Sequence, residues 1–176
     1  MYKSSYEKIL IATDGSKNAN KAAESGIEIA RLSKAKVYAL YVLKTDSKDF
    51  CQNPAVVDWI EAMKPKTIED LTDKQWLEIA RITDARLKKE HEMNLIRQGE
   101  EAIAYVERLG NENGVNVESV LLKGQPAQQI IDFAEKNDVD LVVLGTLGKT
   151  ADNRFLLGSV AEKVVRNCGV QVLVVR

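Results

Sequence analysis

The sequence contains little of the chemistry from which many catalytic and metal sites are built. Its 176 residues include one histidine, two cysteines and three prolines. The cysteines, Cys51 and Cys168, form no CxxC pair and lack zinc-ligand spacing, so they predict neither a metal site nor a redox motif. The histidine, His91, lies in the charged stretch 88–92, where we expect a solvated surface residue. No Ser-His-Asp or Cys-His arrangement can be built around it.

The chain also lacks a surplus of either charge and a long apolar run. Its net charge is −1, which excludes the basic surplus typical of a general nucleic-acid binder. No apolar run reaches the roughly 18 residues that a membrane span needs. The residues before the first predicted strand contain no apolar stretch of signal-peptide length. We therefore expect a cytoplasmic protein that binds neither nucleic acid nor membrane.

Short apolar runs alternate with helical patterns along most of the chain. Strands are predicted at 8–13, 37–43, 115–122, 140–145 and 170–175, and helices at 17–33, 127–136 and 159–167. Strands that are apolar throughout, separated by helices, indicate a parallel sheet covered on both faces. The predicted fold is a doubly wound, Rossmann-like α/β domain. Ligands of such folds bind beyond the carboxyl ends of the strands, which directs attention to the loops after the strands at 8–13 and 140–145.

One stretch departs from this alternation. About 70 residues separate the second predicted strand from Val115, more than one crossover helix needs. We expect residues 44–72 to be loop with a short helix near 56–63. A capping box at 72–75 then begins a helix that runs to Leu109, and its second half serves as the crossover. The expected organisation is one domain, 1–176, with an insertion at about 44–94.

The most informative motif lies between the strand at 140–145 and the last helix. It reads Gly145-x2-Gly148-x9-Gly158-Ser159. Glycines permit positive φ and close approach of a ligand to the backbone. The start of a helix offers unpaired N–H groups and a positive dipole end, which together favour phosphate. The motif is neither a P-loop nor a GxGxxG fingerprint. An alternative stays open, in which the glycines form turns and Ser159 with Glu162 makes a capping box.

Taken with the opening segment, this motif resembles that of the universal stress protein family. The first strand ends in Thr13-Asp14-Gly15-Ser16, which is similar to the family's T-D-x-S, and residues 170–175 resemble its last strand. The resemblance covers about residues 6–43 and 95–176. It implies a five-stranded parallel sheet of order 3-2-1-4-5 flanked by helices. It also implies membership of the subgroup that keeps the glycine pattern and binds ATP.

On the adenosine side, the resemblance implies that Ala12 and Val42 contact adenine, partly through their backbone. It places Asp14 beside the adenosine part of the nucleotide, and we include its neighbour Thr13 among the binding residues. Some ATP-binding relatives have proline at the position of Ala12, a change that a backbone contact survives. From the residues alone, Asp14 has an alternative role, capping the first helix together with Ser16.

On the phosphate side, the resemblance implies that Leu144 and Gly145 line the ribose. It assigns the phosphates to four residues, which are Gly148, Gly158, Ser159 and Val160. A divalent metal, Mg²⁺ or Mn²⁺, can accompany the phosphates in this family. Lys149 and Arg154 lie in the intervening loop, where either can neutralise phosphate charge or remain solvated. Thr146 and Thr150 offer hydroxyl groups to phosphate or metal, or simply form the turn.

Three functions follow, of which the first is favoured. The first is an ATP-binding regulatory homodimer of the stress response, paired through the C-terminal strand, whose apolar edge would otherwise be exposed. The second is a nucleotide-independent module that contacts a protein partner through the insertion. Residues 46–92 carry 11 acidic and 8 basic side chains, which disfavours nucleic acid there. The third, an efficient enzyme, is weaker, because phosphoryl transfer needs a positioned base, charge clamps and metal ligands. We expect slow ATP hydrolysis at most.

Overall fold

The computed structural model describes residues 6–44, 73–148 and 157–176, with the backbone alone at 73–84, 87 and 88. The chain divides into two compact units, one of Met1–Lys44 and Arg97–Arg176, the other of Thr45–Ile96. The first unit contains the whole sheet. The organisation as one domain with an insertion at about 44–94 stays a prediction.

Five parallel strands form the sheet of the first unit in the order β3-β2-β1-β4-β5. The strands are β1 (Lys8–Ala12), β2 (Lys36–Leu43), β3 (Val117–Lys123), β4 (Leu141–Gly145) and β5 (Gln171–Val175). The helices are α1 (Lys17–Ser33), α2 (Asp73–Glu112), α3 (Pro126–Lys136) and α4 (Ser159–Asn167). The predicted doubly wound fold and its strand order 3-2-1-4-5 are confirmed.

The three central strands, β2, β1 and β4, are buried on both faces along almost their whole length, which explains why they are mostly apolar. One face packs against α3 and α4 in a cluster that includes Leu10, Leu40 and Val142. On the other face α1 lies unusually close to the sheet. A Cβ at Gly26 would lie 2.7 Å from Cδ1 of Ile11, so only glycine fits there without displacing the core. The small residues predicted on this helix face, Ala19, Ala22, Ala23 and Ala30, are all buried.

The element boundaries differ from prediction in small ways. Helix α2 ends at Glu112, three residues beyond the predicted Leu109, and it continues without a break through the polar stretch 88–92. Strand β3 begins at Val117 rather than at residue 115, because residue 115 instead closes the helix end, its N–H donating to the Gly110 carbonyl at 2.9 Å. Residues 45–72 lie outside the described residues. They include almost all of the loop predicted at 44–72, the short helix predicted near 56–63 and the first residue of the capping box.

The structure describes two of the three residues for which no function was predicted, Cys168 and His91. Cys168 is half-buried against the core cluster at the end of α4, and His91 is partly exposed. Cys51 lies outside the described residues. Within the described part of the chain, no helix has both the length and the apolar character needed to cross a membrane.

Candidate functional site

The candidate site lies at the carboxyl ends of β1, β2 and β4. The backbone continues β1 for one residue beyond its end, since the Thr13 N–H donates to the Leu40 carbonyl at 2.9 Å. Ala12 is the register partner of Leu40, and Val42 stands two residues further along β2. Because side chains alternate along a strand, Ala12 and Val42 are on the same face of the sheet. The structure therefore brings the two residues assigned to adenine to one edge.

The turn after β1 holds the Asp14 carboxylate in a defined position. Oδ1 of Asp14 accepts the Ser16 N–H at 2.9 Å, and Gly15 has a φ of 75°, which an L side chain rarely adopts. The N-cap of α1 is Ser16, whose Oγ accepts the Ala19 N–H at 3.2 Å. The alternative role of Asp14 is thus confirmed only in part: it orients the turn, while Ser16 caps the helix.

The second carboxylate oxygen of Asp14 lies against Gly148. A Cβ built on Gly148 would lie 2.6 Å from Oδ2 of Asp14, closer than two such atoms can approach. Both residues are at the surface of the site, Gly148 exposed and Asp14 half-buried. Two residues assigned to opposite ends of a nucleotide are therefore neighbours.

The motif glycines lie close to neighbouring atoms and have no positive φ, which corrects one expectation. None of the three has a left-handed φ, and that of Gly158 is −74°. A Cβ at Gly145 would lie 2.8 Å from the Asn18 carbonyl carbon, so β4 packs directly on the first turn of α1. A Cβ at Gly158 would lie 3.1 Å from the Thr146 oxygen. Gly145 and Gly158 consequently have structural roles whatever the site binds.

Helix α4 begins at the site with its first N–H groups unpaired within the helix. Gly158 is the N-cap, and the first intrahelical bond joins the Glu162 N–H to the Gly158 carbonyl at 2.9 Å. The N–H groups of Ser159, Val160 and Ala161 therefore have no intrahelical acceptor. The alternative in which Ser159 caps the helix with Glu162 is wrong, because Ser159 is already helical. Glu162 instead pairs with Arg166 at 2.9 Å.

Several predicted site residues have side chains that a ligand can reach only in part. Ala12, Thr13 and Leu144 are buried, and Oγ1 of Thr13 accepts the Gly15 N–H at 3.1 Å. These three residues can offer only backbone groups to a ligand, as the resemblance implied for Ala12. Val42 and Val160 are partly buried at the margin of the core cluster. Ser159 is exposed at the start of α4.

Tyr41 adds a second titratable group, which lies near enough to Asp14 for the charge of the carboxylate to act on it. Burial raises the pKa of the Tyr41 hydroxyl, and the negative charge of Asp14 raises this pKa further. Its ring is held from the other side by α2, since a Cβ at Gly99 would lie 2.9 Å from Cδ1 of Tyr41. No sequence pattern indicates that Tyr41 lies near Asp14, because Tyr41 is one of several apolar or aromatic residues in a buried strand.

Three residues of the predicted phosphate side belong to the loop between β4 and α4. Lys149, Thr150 and Arg154 lie outside the described residues, so their roles stay predictions. Among the residues that the structure describes, no group of three or more His, Cys, Asp or Glu side chains could hold a metal ion. Thr146 is half-buried, and its Oγ1 lies 3.5 Å from Nδ2 of Asn18, an interaction that gives this hydroxyl a role within the protein.

From the sequence, Asn18 was not expected at the site, and Ser16 was expected only to cap the first helix. Asn18 contacts Thr146, and Ser16 donates to the Leu147 carbonyl at 3.4 Å. Neither pairing has a sequence signal, because each joins residues far apart along the chain. The parallel sheet brings them together by placing β1 and β4 side by side.

Comparison with known proteins finds matches that span nearly the whole chain. Residues 5–176 match the model of the universal stress protein family. The chain is 39% identical over 171 residues to universal stress protein MJ0531 of Methanocaldococcus jannaschii, covering 97% of this chain and 82% of that protein.

Solved structures with low sequence identity show the same fold. Universal stress protein UspA from Lactobacillus plantarum superposes with a TM-score of 0.63 at 23% identity, covering 99% of this chain and all of that one. The universal stress protein from Archaeoglobus fulgidus, solved in complex with dAMP, has a TM-score of 0.57 at 21% identity, covering 97% of this chain and 98% of that one.

Proposed function

Because the chain belongs to the universal stress protein family, we propose that it binds ATP and acts as a nucleotide-dependent regulatory protein in the stress response. The observation that carries the proposal is the meeting of three features at one edge of the sheet. The Asp14 carboxylate, the exposed backbone of Gly148 and the start of α4 lie together there.

The chemistry of these groups suits an adenine nucleotide. A carboxylate accepts hydrogen bonds from ribose hydroxyl groups, and unpaired N–H groups at a helix start bind phosphate oxygens. The exposed position of Gly148 leaves its backbone open to a ligand. A protein of the same fold, from Archaeoglobus fulgidus, was solved with an adenine nucleotide, dAMP, which supports the same ligand class here.

We assign the predicted site residues to the parts of ATP as follows. Backbone groups of Ala12 and Val42 would face the adenine, with Thr13 and Asp14 beside the adenosine. Leu144 and Gly145 would line the ribose, and the phosphates would meet Gly148, Lys149, Gly158, Ser159 and Val160. A divalent metal, Mg²⁺ or Mn²⁺, would be held chiefly by the phosphates, as is usual for Mg²⁺.

Fast hydrolysis is not part of the proposal. Phosphoryl transfer requires a group that orients the attacking water and cations that stabilise the transition state. Within the described residues, Asp14 is the one acidic side chain assigned to this site, and one of its oxygens already accepts the Ser16 N–H. The site is therefore suited to holding ATP, with slow turnover at most.

We extend the proposal to a homodimer paired through β5. This edge strand, QVLVV, carries no charged side chain and is half-exposed along most of its length. The opposite edge strand, β3, carries Glu118 and Lys123, and charged residues discourage edge pairing. The difference between the edges favours β5 as the one that pairs. Light scattering after size-exclusion chromatography should give twice the chain mass at micromolar concentration, and a monomer there would refute the pairing.

The first experiment uses protein purified without added nucleotide. The chain is denatured, and any released small molecule is identified and quantified by mass spectrometry. We expect ATP or ADP at close to one per chain, or micromolar binding of Mg-ATP by calorimetry if the chain is purified empty. A chain that is empty and also fails to bind Mg-ATP would show that the motif glycines serve the fold alone.

A further inference from the structure

The two loops of the candidate site are held against each other by direct contacts. One is the turn from β1 into α1, and the other follows β4. Gly145 lies against the backbone of Asn18, and Gly148 lies against Asp14. Between these two points, hydrogen bonds join the same segments. The distance between Asp14 and the glycine motif therefore depends on this junction.

Ser16 occupies the centre of the junction and makes two bonds with one hydroxyl. Its Oγ accepts the Ala19 N–H at 3.2 Å and donates to the Leu147 carbonyl at 3.4 Å. A serine hydroxyl has one proton and two lone pairs, so both bonds can exist together. The first bond caps α1, and the second reaches the loop that follows β4.

Ser16 contacts the segment at the base of the loop between β4 and α4. Hydrogen bonds of this segment join the two ends of that loop. Thr146, next to Leu147, accepts the Gly158 N–H at 2.7 Å and donates its own N–H to Val175 at 2.8 Å. Nδ2 of Asn18 lies 3.5 Å from Oγ1 of Thr146. The start of α4 is thus tied to Thr146, and residues 146 and 147 are tied to the first turn of α1.

We infer that Ser16 is a positioning residue of the site, whose hydroxyl proton holds the loop after β4 at the distance that sets Gly148 and the start of α4 opposite Asp14. This role is separate from helix capping, which uses only a lone pair of the same oxygen. The consequence for binding rests on the proposed function. The consequence for the loop does not, because it can be measured without nucleotide.

A set of substitutions separates the two roles of Ser16. Aspartate caps a helix as well as serine does but has no proton to donate at neutral pH. Asparagine also caps and has an amide that can donate to the Leu147 carbonyl. Ser16→Asp and Ser16→Asn are therefore matched in size and in capping, and they differ in the donor and in the negative charge that aspartate adds. Ser16→Thr retains both functions.

The first readout is amide hydrogen exchange by NMR on the full chain without nucleotide. The Gly158 N–H reports closure of the loop, and the Asn20 N–H, which bonds to the Ser16 carbonyl at 2.9 Å, reports the helix start. We expect Ser16→Asp to raise exchange at Gly158 by roughly three- to tenfold, the effect of one hydrogen bond. Exchange at Asn20 should stay unchanged. Ser16→Asn and Ser16→Thr should resemble the parent chain at both positions.

The second readout is binding of adenosine by calorimetry. Adenosine is used because an added carboxylate would repel phosphate and lower ATP affinity for an unrelated reason. We expect Ser16→Asp to weaken adenosine binding by roughly three- to tenfold and Ser16→Asn to retain it.

The outcomes separate the inference from the proposed function. Equal exchange at Gly158 in Ser16→Asp and Ser16→Asn would overturn the positioning role, even if both bind adenosine. Faster exchange in Ser16→Asp alone supports it. If the parent chain binds neither adenosine nor Mg-ATP, the proposed function fails while the exchange data still decide the role of Ser16 in the loop.

Discussion

The Asp14 carboxylate and Gly148 are in contact, because the sheet places the ends of β1 and β4 side by side. One carboxylate oxygen is fixed by the Ser16 N–H, and the other would lie 2.6 Å from a Cβ at residue 148. A side chain at residue 148 would have to displace this oxygen, and the contact joins two parts of the proposed nucleotide site.

Gly148→Ala should weaken Mg-ATP binding by roughly tenfold, which corresponds to about 1.4 kcal/mol. The added methyl group must displace Oδ2 of Asp14, and Oδ1 then loses its alignment with Ser16. Calorimetry measures the affinity, and thermal unfolding should show little change because Gly148 is exposed.

Gly169→Ala is the matched control for this substitution. A Cβ at Gly169 would have no neighbour within 4 Å, and its φ is not left-handed. The Gly169→Ala protein should bind Mg-ATP with the same affinity as the parent chain. If the parent chain, Gly148→Ala and Gly169→Ala all bind Mg-ATP equally well, Gly148 does not belong to the nucleotide site.

Asp14→Asn tests whether the charge of Asp14 acts on a ligand. The amide oxygen can still accept the Ser16 N–H, so the turn and the fold should be retained. A charged acceptor makes stronger hydrogen bonds than a neutral one, by about 1 kcal/mol. We therefore expect adenosine affinity to fall by roughly fivefold. Unchanged affinity in calorimetry would leave Asp14 with its turn-forming role alone.

Gly26→Ala should destabilise the fold without altering the site. The new Cβ would lie 2.7 Å from Cδ1 of Ile11, and crowding a packed core usually costs about 1–3 kcal/mol. The gain in helix propensity offsets up to about 1 kcal/mol of this. The free energy of unfolding, measured in urea, should therefore fall by up to about 2 kcal/mol.

The cause of that loss can be checked by a second substitution. Ile11→Val removes the crowded Cδ1 atom, so its cost in the Gly26→Ala background should be smaller than its cost alone. The coupling in this double-mutant cycle should be at least about 0.5 kcal/mol. Strict additivity would contradict the close packing of α1 on β1.

The raised pKa of Tyr41 predicts that the folded protein loses stability at alkaline pH. Burial, and then the charge of Asp14, raise the pKa of Tyr41 above its usual value. The unfolded tyrosine ionises near pH 10 while the folded one stays neutral. Stability from this difference is fully present below about pH 10 and is lost as pH rises through the folded pKa. Unfolding in urea between pH 9 and roughly 11 should show a shallower decline for Tyr41→Phe than for the parent chain. Parallel declines would contradict the raised pKa.

The sequence could predict much of the fold because its signals are local. Buried parallel strands read as apolar runs, and the small residues of α1 mark a helix that lies close to the sheet. The position of the site at the carboxyl edge followed from the fold class. The start of α4 was predicted at the correct residue. The alternative in which Ser159 caps the helix was wrong, since Ser-x-x-Glu has the same pattern whether Ser159 lies just before the helix or in its first turn.

The sequence alone specifies which residues form strands and helices, and therefore which loops meet at one edge. How closely those loops approach each other depends on the tertiary structure. The contact of Asp14 with Gly148, the bond from Ser16 to Leu147 and the neighbourhood of Tyr41 all join residues distant in the chain. No local pattern encodes such pairs, because their geometry results from strand register and helix packing over the whole sheet.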